Sequence, residues 1–67
     1  MTLRFLGTTS EYGNCPTLYE VVETGDIVVQ GDQLTDPDHL AQLRDVGEDE
    51  AFVVIPRALL TRFAPKE

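Results

Sequence analysis

The alternation of apolar and polar residues predicts three short strands in the first half of the chain. "LRFL" at 3–6 is a candidate edge strand, and polar loop residues follow it over 7–14. "TLYEVVE" at 17–23 and "DIVVQG" at 26–31 are rich in β-branched and aromatic residues, which is typical of strands. The sequence therefore predicts an antiparallel sheet that begins near the amino terminus.

A two-residue turn at Thr24 and Gly25 is predicted to join the second and third strands, because Gly25 can supply a positive φ. In that register Val22 faces Ile27. The other predicted pairs are Val21 with Val28 and Leu18 with Gly31. One face of the hairpin then carries Leu18, Val22, Ile27 and Val29, and the other carries Tyr19, Val21 and Val28. Both faces are partly apolar, so we expect the hairpin either to be sandwiched or to meet a partner.

"LTDPDHLAQLRDVG" at 34–47 gives the clearest helix signal in the chain. Asp36 can act as N-cap, with Pro37 at the first helical position, where its missing N–H costs nothing. Asp38 places a carboxylate in the first turn, which the helix dipole favours. Leu40 and Leu43 form an apolar stripe. The sequence predicts a helix of about two turns that ends at the glycine of "DVG".

The last third of the chain predicts an acidic loop, a strand and a helical turn. "EDE" at 48–50 forms the loop, and "AFVVIP" at 51–56 forms a strand closed by its proline. "RALLTRF" at 57–63 forms one helical turn or a 3₁₀ segment with Leu59, Leu60 and Phe63 on one side. We interpret that turn as a cap on the core, with partner docking as the alternative. The whole chain, 1–67, is predicted to be one α+β domain with a small antiparallel sheet of three to four strands, one short helix and a C-terminal helical turn.

Acidic residues dominate the charge. Twelve carboxylates against five cations give a net charge of −7. From Glu11 to Glu50 there are eleven carboxylates and one cation, Arg44. This balance argues against direct nucleic-acid binding, because phosphate contacts need clustered Lys and Arg. An acidic surface attracts a basic protein, and the alternative is that acidity only keeps a small protein soluble.

Length and cysteine count point to a small protein in a reducing compartment. The 67 residues allow one domain with a modest core, and the single cysteine excludes an internal disulfide. The amino-terminal apolar run is too short for a signal peptide, and no stretch approaches the roughly 20 apolar residues of a membrane helix. We therefore expect a cytoplasmic protein without membrane association. Domains this small often need a partner surface, supplied by another protein or by a second copy.

The cysteine lies in "GNCP", a pattern typical of a turn that leads into a strand. Gly13 and Asn14 tolerate left-handed backbone, and Pro16 forces Cys15 into extended geometry. No Lys, Arg or His neighbours Cys15 in sequence to stabilise a thiolate. We interpret Gly13, Asn14, Cys15 and Pro16 as a structural turn. A redox or small thiol-enzyme role for Cys15 is the alternative.

No other motif in the chain predicts catalysis or a cofactor. Cys15 and His39 are the only soft metal donors, which falls short of a structural zinc site. Asp32, Asp36 and Asp38 lack the spacing and the glycine of a calcium loop. The five glycines are scattered and form no phosphate-binding loop. We expect neither metal nor cofactor, and a protein that is not an enzyme.

Four strings, "GNCPT", "DIVVQG", "LTDPDHLAQL" and "VVIPRALL", carry a resemblance that covers most of the chain. The chain resembles small acidic actinobacterial proteins of unknown biochemical activity that are encoded beside helix-turn-helix regulators. Residues 13–16 match the turn of these proteins, residues 28–31 match a strand, and residues 35–37 match the helix start. The resemblance implies a companion that binds a DNA-binding regulator and alters its action.

Charge and resemblance together predict an acidic accessory protein that binds and modulates a helix-turn-helix regulator. Its predicted partner-binding residues are Asp32, Asp36, Asp38, Glu48, Asp49 and Glu50. Besides the Cys15 alternative, a homodimer that completes the sheet as a structural subunit is a third reading.

Overall fold

The computed structural model describes residues 1–10 and 16–66. Its strands are β1 (Leu3–Thr8), β2 (Thr17–Val21), β3 (Ile27–Gln30), β4 (Asp32–Gln33) and β5 (Val53–Val54), and its helices are α1 (Pro37–Leu40) and α2 (Arg57–Phe63). The first three strands form an antiparallel sheet in the order β1-β2-β3, and β4 pairs separately with β5. The predicted α+β class is therefore confirmed.

The β2–β3 hairpin has a longer turn than the predicted one. The Val21 N–H donates to the Asp26 carbonyl at 2.8 Å, which leaves four loop residues, 22–25. Gly25 closes the loop with a φ of 82°, and its N–H donates to the Val21 carbonyl at 2.8 Å. The predicted pairing of Val22 with Ile27 is wrong, because the longer turn gains this local hydrogen bonding.

The observed pairs across the hairpin are Glu20 with Ile27, Tyr19 with Val28, Leu18 with Val29, and Thr17 with Gln30. Each observed pair therefore differs from the predicted one by two residues along β2. Side chains alternate with a period of two, so this error leaves every strand residue on its predicted face. Leu18 still shares a face with Ile27 and Val29. Val22 lies in the turn and not in β2.

β1 continues through Gly7 and Thr8, which the sequence had assigned to a loop. The register with β2 shifts between Phe5 and Gly7, leaving Leu6 as an extra residue in a β-bulge. A Cβ on Gly7 would lie 2.2 Å from Cδ1 of Phe63 in α2. No side chain fits there, so glycine is what allows α2 to approach the sheet so closely.

The core forms where α2 meets the central strand. Leu18 of β2 and Leu59 of α2 are both fully buried at 0% exposure, whereas the buried Val21 lies on the other face of β2, opposite Leu3. α2 packs against β1 and β2, so the prediction that the C-terminal turn caps the core is confirmed. Leu60 is 48% exposed, however, so only Leu59 and the partly buried Phe63 of the predicted apolar side face the sheet.

α1 is shorter than the predicted helix. Asp36 is the N-cap as predicted, because its Oδ1 accepts the Asp38 N–H at 2.9 Å while its own backbone is extended. The helix ends at Leu40, and the chain continues through turns rather than a second helical turn. Both stripe residues, Leu40 and Leu43, are exposed. A short helix without tertiary burial is marginal, which explains the early end.

The predicted strand at 51–56 is also shorter, since only Val53–Val54 pairs with β4. One further backbone bond joins the two segments, from the Leu34 N–H to the Phe52 carbonyl at 2.9 Å. Gly31 lies at the entry to this ribbon, where a Cβ would come within 2.7 Å of Ile55 Cγ2. The residues of β4 and β5 themselves are exposed, so the ribbon has no buried core of its own.

Candidate partner-binding site

The predicted partner-binding residues all lie in residues 32–54, which we call the acidic segment. Its seven carboxylates are Asp32, Asp36, Asp38, Asp45, Glu48, Asp49 and Glu50. Its one cation is Arg44, so it carries −6 of the chain's net charge of −7. The rest of the chain is nearly neutral. Recognition by charge would therefore concentrate on this one segment.

The six predicted partner-binding carboxylates of the acidic segment lie in three places. Asp32 lies exposed in β4. Asp36 and Asp38 lie at the start of α1, joined by the capping hydrogen bond. The third place is the loop 48–50, where Glu50 Oε1 accepts the Gly47 N–H at 2.8 Å. Within the described residues no hydrogen bond or ion pair links any two of these places, so the carboxylates do not form a single cluster.

Few of these charges are compensated within the protein. The Asp36 carboxylate lies 3.8 Å from Nδ1 of His39, an exposed pair in which the histidine is charged only when protonated. Across residues 1–10 and 16–66, the other ion pair joins Arg4 to Glu20, outside the acidic segment. Arg44 has no carboxylate partner in that part of the chain. The carboxylates are thus open to cations supplied from outside.

The acidic segment also exposes large apolar side chains. Its exposed members are Leu40, Leu43, Val46, Val53 and Val54, each between 36% and 56% exposed. No residue of the segment is buried, and only Leu34 and Phe52 are partly buried. The stripe of Leu40 and Leu43 was predicted, but its exposure was not, because exposure depends on which distant elements fold over the helix.

The predicted turn at Gly13, Asn14 and Cys15 lies outside the described residues, so the reading of Cys15 as a turn residue and the thiol alternative both stay predictions. Pro16 is described, and its carbonyl accepts a hydrogen bond from Thr8 Oγ1 at 2.5 Å. That bond ties the start of β2 to the end of β1.

The described part of the chain contains no group of three or more His, Cys, Asp or Glu side chains placed to hold a metal ion. It contains no detectable cavity, and none of its helices has the length and apolar character to cross a membrane. The candidate site is therefore an open surface.

No protein-family model, curated protein or solved structure matches the chain. The resemblance to companions of helix-turn-helix regulators accordingly stays a prediction.

Proposed function

We propose that the protein is a non-enzymatic accessory that binds a basic protein partner through its acidic segment. The observation that carries this proposal is the coincidence, over residues 32–54, of a −6 charge, five exposed large apolar side chains and no buried residue. The segment contributes little to the core. Its charge and its exposed apolar side chains are typical of a surface that binds another protein.

Charge and apolar contacts have different roles in this proposal. The open carboxylates draw a cationic surface and speed its encounter with the protein. Apolar side chains such as Val46 and Val54 then lose their contact with water on binding, which contributes affinity and fixes the register. An apolar contact alone would not select a basic partner, and charge alone would not fix its position.

A helix-turn-helix regulator is the partner class that the resemblance implies. Such proteins present basic surfaces to DNA phosphates, and the acidic segment offers a competing set of anions. We propose that the protein modulates its regulator in this way, in the cytoplasm. The mechanism needs no catalytic group, metal or cofactor.

The experiment is a pull-down with tagged protein at low and at high salt, followed by binding measurements on the purified partner. We expect a basic helix-turn-helix protein that is retained at low salt and released at high salt, because salt screens exposed charges. A partner whose affinity does not change with salt would refute the electrostatic mechanism, and an acidic partner would refute the proposal.

A matched pair of variants locates the interaction. Glu48→Gln with Asp49→Asn removes two carboxylates from the acidic segment, and Glu23→Gln with Asp26→Asn removes two exposed carboxylates from the hairpin turn. The first variant should weaken binding about threefold to thirtyfold and flatten its salt dependence, since each exposed charge contact contributes up to about 1 kcal/mol. The second should bind as the natural chain does.

A further inference from the structure

A second interaction surface lies on β1, at the outer edge of the three-stranded sheet. The Val22 N–H donates to the Thr2 carbonyl at 2.9 Å, and Leu3 lies opposite Val21. Hydrogen-bonded and non-bonded pairs alternate along an antiparallel ladder. Thr2 and Arg4 therefore turn their peptide groups toward β2, whereas Leu3 and Phe5 turn theirs outward.

No strand of the described chain pairs with that outer edge. The outward N–H and C=O groups of Leu3 and Phe5 are thus free to pair with another strand. Exposed edges of this kind are usually blocked by charges, by proline or by a covering element. β1 has no proline, and its single charged residue, Arg4, is paired with Glu20 at 2.6 Å.

Apolar side chains border the same edge. Leu3 and Phe5 are 51% and 58% exposed, and both lie on the sheet face opposite the one that α2 covers. The Phe5 and Tyr19 rings pack in a T-shaped arrangement, with centroids 6.2 Å apart, and the exposed Val28 lies across from Tyr19. The row of apolar side chains therefore runs from β1 across the whole sheet.

Charge favours a second copy of the chain over a basic protein as the partner for the β1 edge. Outside the acidic segment the chain carries four cations and five carboxylates, a net charge of −1. A basic partner gains nothing here compared with the acidic segment. A second copy brings another nearly neutral, apolar edge with the same outward hydrogen-bonding groups, so the two edges match each other in charge and in bonding pattern.

We propose that two copies of the chain pair antiparallel through β1, forming one continuous six-stranded sheet. Each copy contributes the outward peptide groups of Leu3 and Phe5, and the apolar faces of the two sheets join. The contact needs no residue of the acidic segment, so it stands or fails independently of the proposed basic partner.

The test is sedimentation equilibrium of the full chain over a wide range of concentrations, with three variants of equal charge change. Leu3→Lys places a charge on the β1 edge, Ile27→Lys places one on the opposite edge strand, and Leu60→Lys places one on α2 at similar exposure. We expect a monomer–dimer equilibrium that Leu3→Lys weakens about tenfold or more. The other two variants should match the natural chain, and circular dichroism should show all three folded.

Amide hydrogen exchange separates edge pairing from packing of two sheet faces. In an edge-paired dimer the Leu3 and Phe5 amides exchange more slowly at high protein concentration than at low concentration, because they become hydrogen-bonded. A chain that stays monomeric would overturn the proposal. So would a dimer that Leu3→Lys leaves intact, a dimer that Ile27→Lys breaks, or Leu3 and Phe5 amides whose exchange ignores concentration. Raised salt should leave the dimer in place, unlike the complex with a basic partner.

Discussion

The two parts of this chain use similar amino acids for opposite purposes. The sheet with α2 buries Leu18 and Leu59 completely, and its charges nearly cancel. The acidic segment has leucines and valines of the same kind, yet it buries none of them. A leucine stabilises a fold only where a second layer covers it. Here α2 covers β2, and no element among residues 1–10 and 16–66 covers α1 in the same way.

The dimensions of the molecule agree with this difference. Its Cα radius of gyration is 13.3 Å. A compact domain of this length has about 11 Å. A single core shared by all 67 residues would give the smaller value. Stability therefore comes chiefly from the sheet with α2, and the acidic segment remains available for recognition.

The largest expected effect comes from truncating the core. Leu18→Ala removes a fully buried side chain between β2 and α2, and we expect a loss of about 2–5 kcal/mol in the free energy of unfolding. In so small a domain that loss is enough to unfold much of the population. Leu43→Ala, the matched change in the acidic segment, should cost less than about 0.5 kcal/mol. Urea unfolding followed by circular dichroism measures both.

Equal losses for Leu18→Ala and Leu43→Ala would contradict the division into a stabilising part and a recognition part. That result would mean that the acidic segment has a core of its own, and its apolar residues would no longer support a partner-binding surface.

The next largest loss of stability is expected from adding a methyl group at Gly7, where the Phe63 ring packs against the backbone. Gly7→Ala places a Cβ 2.2 Å from the Phe63 ring, so α2 must shift or the ring must turn. Overpacking of this kind costs about 1–3 kcal/mol. Gly47→Ala is the control in the acidic segment, where the nearest atom is Glu50 Cδ at 3.4 Å. The two midpoints of thermal unfolding test the difference, and a Gly7→Ala protein as stable as Gly47→Ala would disprove the tight contact between β1 and α2.

Local signals predicted two strands and the start of the first helix. The β-branched runs identified β2 and β3, and Asp36 with Pro37 identified the start of α1. These features depend on neighbours in sequence. The hairpin register was missed by two residues, because a glycine with positive φ closes a two-residue or a four-residue loop equally well.

Features set by distant contacts could not be predicted. Gly7 was assigned to a loop because nothing in "LRFLGTTS" shows that Phe63 will pack on it. The early end of α1 has the same origin, since Leu40 and Leu43 form a good stripe that no other element covers. The carboxylates of the candidate site, by contrast, were identified from charge alone, and the structure added the exposed apolar residues between them.

A smaller loss of stability is expected for removing an arginine that is paired with a carboxylate than for the core and glycine changes, and a smaller one still for an unpaired arginine. Arg4 Nη2 lies 2.6 Å from Glu20 Oε1 across β1 and β2, on a partly exposed surface. Arg4→Gln should therefore cost about 0.2–1 kcal/mol in unfolding free energy. Arg44→Gln removes the one cation of the acidic segment, which has no carboxylate partner among the described residues. It should change the free energy of unfolding by about 0.2 kcal/mol or less. Urea unfolding at low and at raised salt measures both, and the difference between the variants should shrink as salt rises. A larger cost for Arg44→Gln would reveal an ion pair inside the acidic segment.

The smallest effect concerns the carboxyl group of Glu23. The Thr2 N–H donates to Glu23 Oε1 at 2.9 Å, and this hydrogen bond lowers the pKa of Glu23. A carboxylate with a lowered pKa stabilises the fold above its ordinary pKa, and that contribution disappears as the pH falls through the lowered value. Glu23→Gln should thus be slightly less stable than the natural chain at neutral pH, and the difference should narrow on acidification. Glu48→Gln serves as the control from the acidic segment, and a pH-independent gap for Glu23→Gln would show that the hydrogen bond to Thr2 does not depend on the charge.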